Sequence, residues 1–452
     1  MRQRRSALIR ASLVFLTISL MTSGKAIGGV VINEIFYNAP DELEDLEYVE
    51  LLNRGDQPVD LSGWTLSGEI KFNFEPGSTL KSGQIIVIAK DPKVLHEFFD
   101  VDAFGEFKKS LSNSGGKLTL SDADGDVVES LTYGDRSPWP LAADGYSASI
   151  ERISVAGPAS SPANWAPSKL SDNYDRTPSG SPGVKNSVVA DAVPPSFDSV
   201  DWTPKQLRPG QTLAVTVKLP KSDSIASVDL RYQIVAPGKA GQEQVVPMKP
   251  QGDSFVAEIP AGNDANRLLR FRVVAKADSG GVGHYPHPNE IRPAWTVYVS
   301  GEQKTASLPI SQLFFAGKDE FAAAEQYRQS QSEPPRQNRM GSGFEGRGFG
   351  SRGRFGEVPE TPLPPQGRAA LIYTNPKTGE TEVFDFVNIT QRKSGWKVRL
   401  HKDRLLDDMK TINVLYESCL LYTSDAADDD YSVWVSGGGG GWGGGGGGGG
   451  GG

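Results

Sequence analysis

From Val30 onward the chain is dominated by short apolar runs cut by polar punctuation. VINEIFY at Val31–Tyr37 and EYVELLN at Glu47–Asn53 repeat with a period near two. The acidic residues Asp41 to Asp45 between them cannot enter a core, so the pattern predicts strands joined by a surface loop. VDLSGWTL follows the turn NRGDQP, and QIIVIAK, KLTLS and VVESLTY continue the pattern between breaks rich in Gly, Pro, Asn and Asp. A single helical turn is expected at HEFFD, His96–Asp100. Strands and turns without a sustained helical period predict a β-sandwich over residues 28–187, with Trp64, Trp139 and Trp165 filling its core or closing its ends, a sugar-stacking platform being the alternative reading.

Ser187 to Pro204 is rich in Val, Ala and Pro and reads as a linker. Beyond it LAVTVKLP, SVDLRYQIV, DSFVAEIP, LLRFRVVAKA and AWTVYVS are spaced by LRPGQ, PGKAGQ, PQGD and AGND. That spacing predicts a second, immunoglobulin- or fibronectin-like sandwich over residues 194–300. At Leu308 the pattern changes to a strand, LPISQLFF, followed by a helix with Phe321, Ala324, Tyr327 and Arg328 at helical spacing. Residues 330–367 lose periodicity and read as a disordered insertion. Strand patterns return from Arg368 through the turn Pro376-Lys377-Thr378-Gly379 to WKVRLHKD and INVLYE. The fold class expected is mainly β, two sandwiches followed by a partial α+β lobe over residues 308–418.

The opening motifs VVINEI, EYVEL and N-x-G-x-x-x-VDLSGW, followed by Pro76-Gly77-Ser78 and a closing TPSGSPG at Thr177 to Gly183, resemble the lamin tail domain of bacterial proteins. The resemblance implies an immunoglobulin-like sandwich that binds or tethers an unidentified protein or cell-envelope ligand. The third region resembles the start of the CotH family of atypical protein kinases. The residues that carry this are the opening Leu308-Pro309, DEFAAAE, the hairpin, and KSGWKVRL at Lys393–Leu400, which resembles K-S-x-x-K-V/I-R-F. A complete domain of that family implies ATP and Mg²⁺. Here the acidic residues that would hold the metal are expected beyond Glu417, so this fragment is expected to be inactive and to carry no cofactor. The resemblance makes Lys397 the candidate phosphate contact, with Lys393 and Arg399 beside it.

The two ends alter the bulk picture. Residues 1–26 carry four arginines, an apolar run from Ala11 to Met21 and small residues ending near Ala26, the layout of a secretory signal. The chain is therefore expected to be exported to the periplasm, the cell surface or the medium, with no membrane span beyond that segment. CLLYTSDAADD at Cys419–Asp429 reads as a translated sequencing adapter, and glycine interrupted only by Trp442 follows from Gly437, so residues 419–452 are expected to be an artefact. The single cysteine, Cys419, belongs to that stretch, which excludes a disulfide framework and thiolate metal sites. A net charge of −8 disfavours general nucleic-acid binding.

Other candidates each carry a plainer reading. Asp122, Asp124 and Asp126 in SDADGD look like half of a calcium loop, but a tight hairpin turn demands the same residues. Arg54-Gly55-Asp56 is an adhesion tripeptide placed where a hairpin turn belongs. Arg347, Arg352 and Arg354 stand in a Gly/Phe-rich stretch that could stack on single-stranded nucleic acid, or form a flexible insertion. His284 and His287 form a possible ligand pair lacking a third member, while His96 and His401 stand alone. The competing reading of the whole chain is a non-enzymatic surface or adhesion protein.

Overall fold

The computed structural model describes residues 29–40, 43–170, 177–221, 223–301, 310–317, 366–392, 395–415 and 432–436. The leader, the DEFAAAEQYRQ segment, Lys393, the Arg/Gly/Phe stretch and the glycine run lie outside the described residues.

The first region is built from β1 (Val30–Phe36), β2 (Tyr48–Asn53), β3 (Thr65–Gly68), β4 (Ile70–Asn73), β5 (Ile85–Ala89), β6 (Gly116–Ser121), β7 (Val127–Tyr133), β8 (Ile150–Arg152) and β9 (Trp165–Pro167). One sheet runs β9-β8-β1-β2-β5 with Gly105–Glu106 as a short parallel sixth strand. The facing sheet runs β7-β6-β3-β4 and ends at Lys108–Lys109. Ile32, Ile35, Val49, Leu51 and Ile88 of the first sheet meet Leu66, Leu118, Leu120 and Leu131 of the second in one core. Each such buried aliphatic side chain contributes roughly 1.5–3 kcal/mol. Trp64 and Trp165 are buried in that core and Trp139 packs half-buried at its end.

Where one helical turn was expected there is an eight-residue helix, α1 (Pro92–Phe99). Asp91 caps it by accepting from the Lys93 and Val94 amides, and Pro92 pre-sets the first turn, start signals that lie upstream of HEFFD.

The second region holds β10 (Ser199–Thr203), β11 (Thr212–Lys218), β12 (Ile225–Ala236), β13 (Ser254–Pro260), β14 (Arg267–Ala277), β15 (Val282–Tyr285) and β16 (Trp295–Val299). One sheet runs β10-β11-β13 and ends at Lys249–Gln251; the other centres on β12-β14-β15, with β16 also paired to β14. β10 occupies the stretch read as linker, because Val200 and Trp202 pack against the core through only two apolar positions.

The third region is an antiparallel sheet of β17 (Ile310–Phe314), β18 (Gln366–Thr374), β19 (Thr381–Arg392), β20 (Gly395–Arg399) and β21 (Thr411–Leu415) in the order β21-β20-β19-β18-β17. Ser432–Ser436 adds a parallel strand beside β17. Phe314, Ala370 and Ile372 of this sheet pack onto Val235 and Leu268 of the second sandwich in a shared apolar cluster.

A buried carboxylate face and a candidate ligand cleft

The outer face of the first sheet is unusual for its charge. A register shift in β1 between Ile32 and Glu34 changes the alternation, so Ile32 and Ile35 both reach the core while Glu34 points outward. Glu34 then sits directly opposite Glu50 of β2 on one side and Glu151 of β8 on the other. All three glutamates are buried. Like charges in register repel, so this row needs protons, hydrogen bonds or both.

The segment Ser179–Val188 lies over the row as a strap. Its Ser181 amide donates to Glu34 Oε1 at 2.9 Å, its Gly183 amide to Glu50 Oε2 at 2.7 Å, and its Ser187 hydroxyl to Glu151 Oε2 at 2.7 Å. Ser181 Oγ lies 3.1 Å from Glu34 Oε2 and 2.8 Å from Glu151 Oε1. One hydroxyl proton serves both acceptors poorly, which favours a proton on one of the acids. From below, the Tyr48 hydroxyl donates to Glu34 at 2.6 Å and Asn33 donates to Glu50 at 2.7 Å. Burial first, and the Glu151 charge second, push Glu34 up to about 7. Burial and then the Glu34 charge push Glu50 up to about 9, and burial also raises Glu151. Gly180 is required for the strap to close, because a Cβ there would stand 2.1 Å from the Tyr48 oxygen.

Sequence reasoning missed this row. Its signal was present as Glu34, Glu50 and Glu151, each flanked by apolar residues inside a strand pattern, in VINEIFY, EYVELLN and ASIERIS.

Between the two sandwiches, and reaching the third sheet, lies a cleft of about 1060 Å³. Its floor is stitched by contacts between the sandwiches. The Glu290 carboxylate accepts from the Leu141 and Ala142 amides at 3.1 and 3.0 Å, Asn289 Nδ2 donates to Pro167 O at 3.0 Å, and Ser137 Oγ lies 3.0 Å from the Tyr285 hydroxyl. Burial pushes Glu290 up to about 7.

One wall is a run of rings from the second sandwich. Phe197 stacks on Tyr285 at 5.5 Å, Tyr285 meets Trp295 edge-on at 5.1 Å, and Trp295 meets Trp202 at 5.9 Å. The first sandwich adds Trp139, 6.2 Å from Trp165, to the lining. His284 and His287 come together in the lining, 5.6 Å apart edge to face. Burial lowers both, His287 to about 4, so the rings are neutral at physiological pH. Among the described residues no group of three His, Cys, Asp or Glu is arranged to hold a metal ion, so the pair gains no third ligand there.

The residues singled out by sequence are dispersed. Lys397 lies on β20 between Thr390 and Asn413, half-buried, and Arg399 lies two residues on, exposed on the same face of the strand. Neither lines the cleft. Asp122 Oδ1 accepts from the Asp124 and Asp126 amides at 3.0 and 2.9 Å, so the three aspartates build the β6–β7 turn. In Arg54-Gly55-Asp56 the Arg54 side chain donates to Val155 O and the Gly55 amide to Asn53 Oδ1 at 2.9 Å. His96 is half exposed beside Asp102. His401 is buried edge-on against Tyr146 at 5.8 Å and is lowered to about 3 by burial.

No curated protein sequence matches the chain. Similar solved structures include a cycloisomaltooligosaccharide glucanotransferase of Paenibacillus sp., with 11% identity over 30% of this chain and 18% of that one at TM-score 0.17. Another is α2-macroglobulin of Escherichia coli, with 9% identity over 77% of this chain and 26% of that one at TM-score 0.18. A third is the sporulation control protein Spo0M of Bacillus subtilis, with 8% identity, 48% and 88% coverage, and TM-score 0.15. The chain thus spans about a quarter or less of the length of the first two. Residues 23–135 match the family model described as Lamin Tail Domain, a stretch that ends just after β7. The chain is therefore a mainly β protein whose first sandwich contains a stretch, residues 23–135, that is similar to the lamin tail domain, an immunoglobulin-like fold.

Proposed function

We propose that the chain is an exported scaffold whose two sandwiches bind a ligand and hold a third, CotH-like lobe in fixed orientation. The observation that carries this reading is a polar seam joining the three regions. Asp385 of β19 accepts two bonds from Arg270 of β14, both 2.8 Å, and a third from Thr296, with both charged side chains largely buried. Toward the first sandwich, Lys402 Nζ reaches Asp144 at 3.2 Å and His401 packs on Tyr146. Arg292 pairs with Asp403 where the second sandwich meets the third sheet. A bidentate Arg–carboxylate pair fixes direction as well as distance, which suits a tether that sets the angle of its cargo.

The leader supports export, and KSGWKVRL supports the kinase-like kinship of the third lobe. Small-angle scattering of the full chain tests the scaffold: one rigid envelope is expected, and a distribution of lobe separations would overturn it. With ATP and Mg²⁺ the full chain is expected to release no phosphate. A non-enzymatic surface protein is the second reading. It is favoured by the third region being, over β17–β21, an antiparallel meander with Lys397 on a strand hydrogen-bonded on both sides. Phosphate release would exclude that second reading.

A further inference from the structure

We propose that the cleft between the sandwiches binds an uncharged oligosaccharide, its sugar faces stacked on the rings of Trp139, Tyr285 and Trp295. This inference rests on reading the sandwiches as binding modules and names the ligand class of that site.

Charge is the first argument. The lining carries Lys205, Arg292 and Arg404 against Glu290, Glu382 and Asp385. Arg404 is paired with Glu382 at 3.3 Å, Arg292 with Asp403 and Asp385 with Arg270. Lys205 stands over the Trp202 ring at 4.0 Å, and Glu290 is held by two backbone amides. Among the described lining residues, an anionic ligand could find compensation without breaking an ion pair only at Lys205, and breaking one of the others leaves a partner uncompensated. A neutral ligand disturbs none of them.

The second argument is the kind of polar group that remains. The neutral His284 ring and the Gln206 amide can each donate and accept, and the neutral His287 ring, whose Nδ1 accepts from the Asn289 amide at 3.2 Å, keeps a donor at Nε2. His284 Nδ1 and Arg292 Nη1 are buried without a hydrogen-bond partner. Hydroxyl groups donate and accept at every position, whereas a proline-rich peptide, the other ligand that aromatic walls suit, offers carbonyl acceptors and few donors. Size is the third argument. About 1060 Å³ lies at the upper end of the ~300–1,000 Å³ typical of pockets for single small molecules, so several linked sugars fit better than one.

The test titrates the full chain with cellohexaose, maltohexaose and chitohexaose, following tryptophan fluorescence and calorimetry. A polyproline hexapeptide and a sulfated hexasaccharide serve as contrasting probes. Saturable binding of at least one neutral hexasaccharide is expected, weakened about tenfold or more by Trp139→Ala and about threefold by Trp139→Phe, which keeps a ring against Gly134. Melting curves of both variants report whether the fold survives. No saturable binding of any neutral hexasaccharide at millimolar concentration would overturn the proposal, as would tighter binding of the peptide or the sulfated sugar. Scattering from the same samples reads the scaffold separately, so the sugar claim can fail while the tether stands.

Discussion

Two regions of this molecule bury charge, and they do so in opposite ways. On the outer face of the first sheet Glu34, Glu50 and Glu151 lie in a row with serine, asparagine, tyrosine and backbone amides as partners and, among the described residues, no cation paired with them. At the seam, Asp385 meets the Arg270 guanidinium through two bonds. The first arrangement is stabilised by protons and the second by counter-ions. The difference teaches which perturbation each region resists: the carboxylate row tolerates acid and is undone by base, while the seam is undone by losing one partner.

The largest expected effect comes from breaking the counter-ion pair. Asp385→Ala leaves Arg270 buried and unpaired, a change that costs on the order of 3–5 kcal/mol. Calorimetry of the full chain is expected to show the third lobe melting apart from the sandwiches. An unchanged single transition would remove the seam from the account.

Next in size is the response of the first sandwich to base. An acid whose folded pKa exceeds its unfolded one binds more protons when folded, so its contribution is full below the unfolded value and is lost as pH rises through the folded value. With Glu34 at about 7 and Glu50 at about 9 against an ordinary 4.5, that window runs from about pH 4.5 to 9. Stability is expected to fall steadily across it, read by urea unfolding at a series of pH values. Glu50→Gln should flatten the slope while lowering stability at pH 5 by about 1 kcal/mol, because the amide cannot accept from both Asn33 and Gly183.

Gly180→Ala forces a methyl onto the Tyr48 hydroxyl and is expected to cost about 1–3 kcal/mol and loosen the strap, seen as faster amide exchange at Ser181 and Gly183. His401 responds in the reverse sense to the carboxylates. Its folded value of about 3 lies below its ordinary 6.5, so its contribution is full above 6.5 and lost as pH falls toward 3. Acid is therefore expected to weaken docking of the third lobe, and His401→Gln should blunt that sensitivity in scattering measured near pH 4. The smallest effect is expected at the β6–β7 turn, where Asp122→Ala removes the acceptor of two amide bonds and lowers stability by about 1 kcal/mol in the same urea assay.

Much of the fold was legible in the sequence, because period-two alternation and Gly/Asx turns are local signals. VINEIFY, EYVELLN, QIIVIAK, KLTLS and VVESLTY all lie on strands of the first sandwich, and the long runs around Leu230 and Val273 form the central pair of the second. The helix was under-read because its cap, Asp91, and its first-turn Pro92 stand before the segment with the apolar signal. The carboxylate row was illegible in a deeper sense. Its three members are far apart in sequence, and only the register across β1, β2 and β8, together with a one-residue bulge, places them side by side. The cleft was hidden for the same reason, since its lining comes from separate regions, and sequence could not tell a core-packing Trp139 from a sugar-stacking one. His284 and His287 were visible as a pair, but sequence does not report that burial makes them neutral lining.

The contrast between proton-stabilised and counter-ion-stabilised burial is tested most directly by a carboxyl-carbon NMR titration of Glu34 and Glu50 in the folded chain. The account expects midpoints near 7 and 9, above the ordinary 4.5 for both. Titration of both groups at or below 4.5 in a still-folded protein would contradict it.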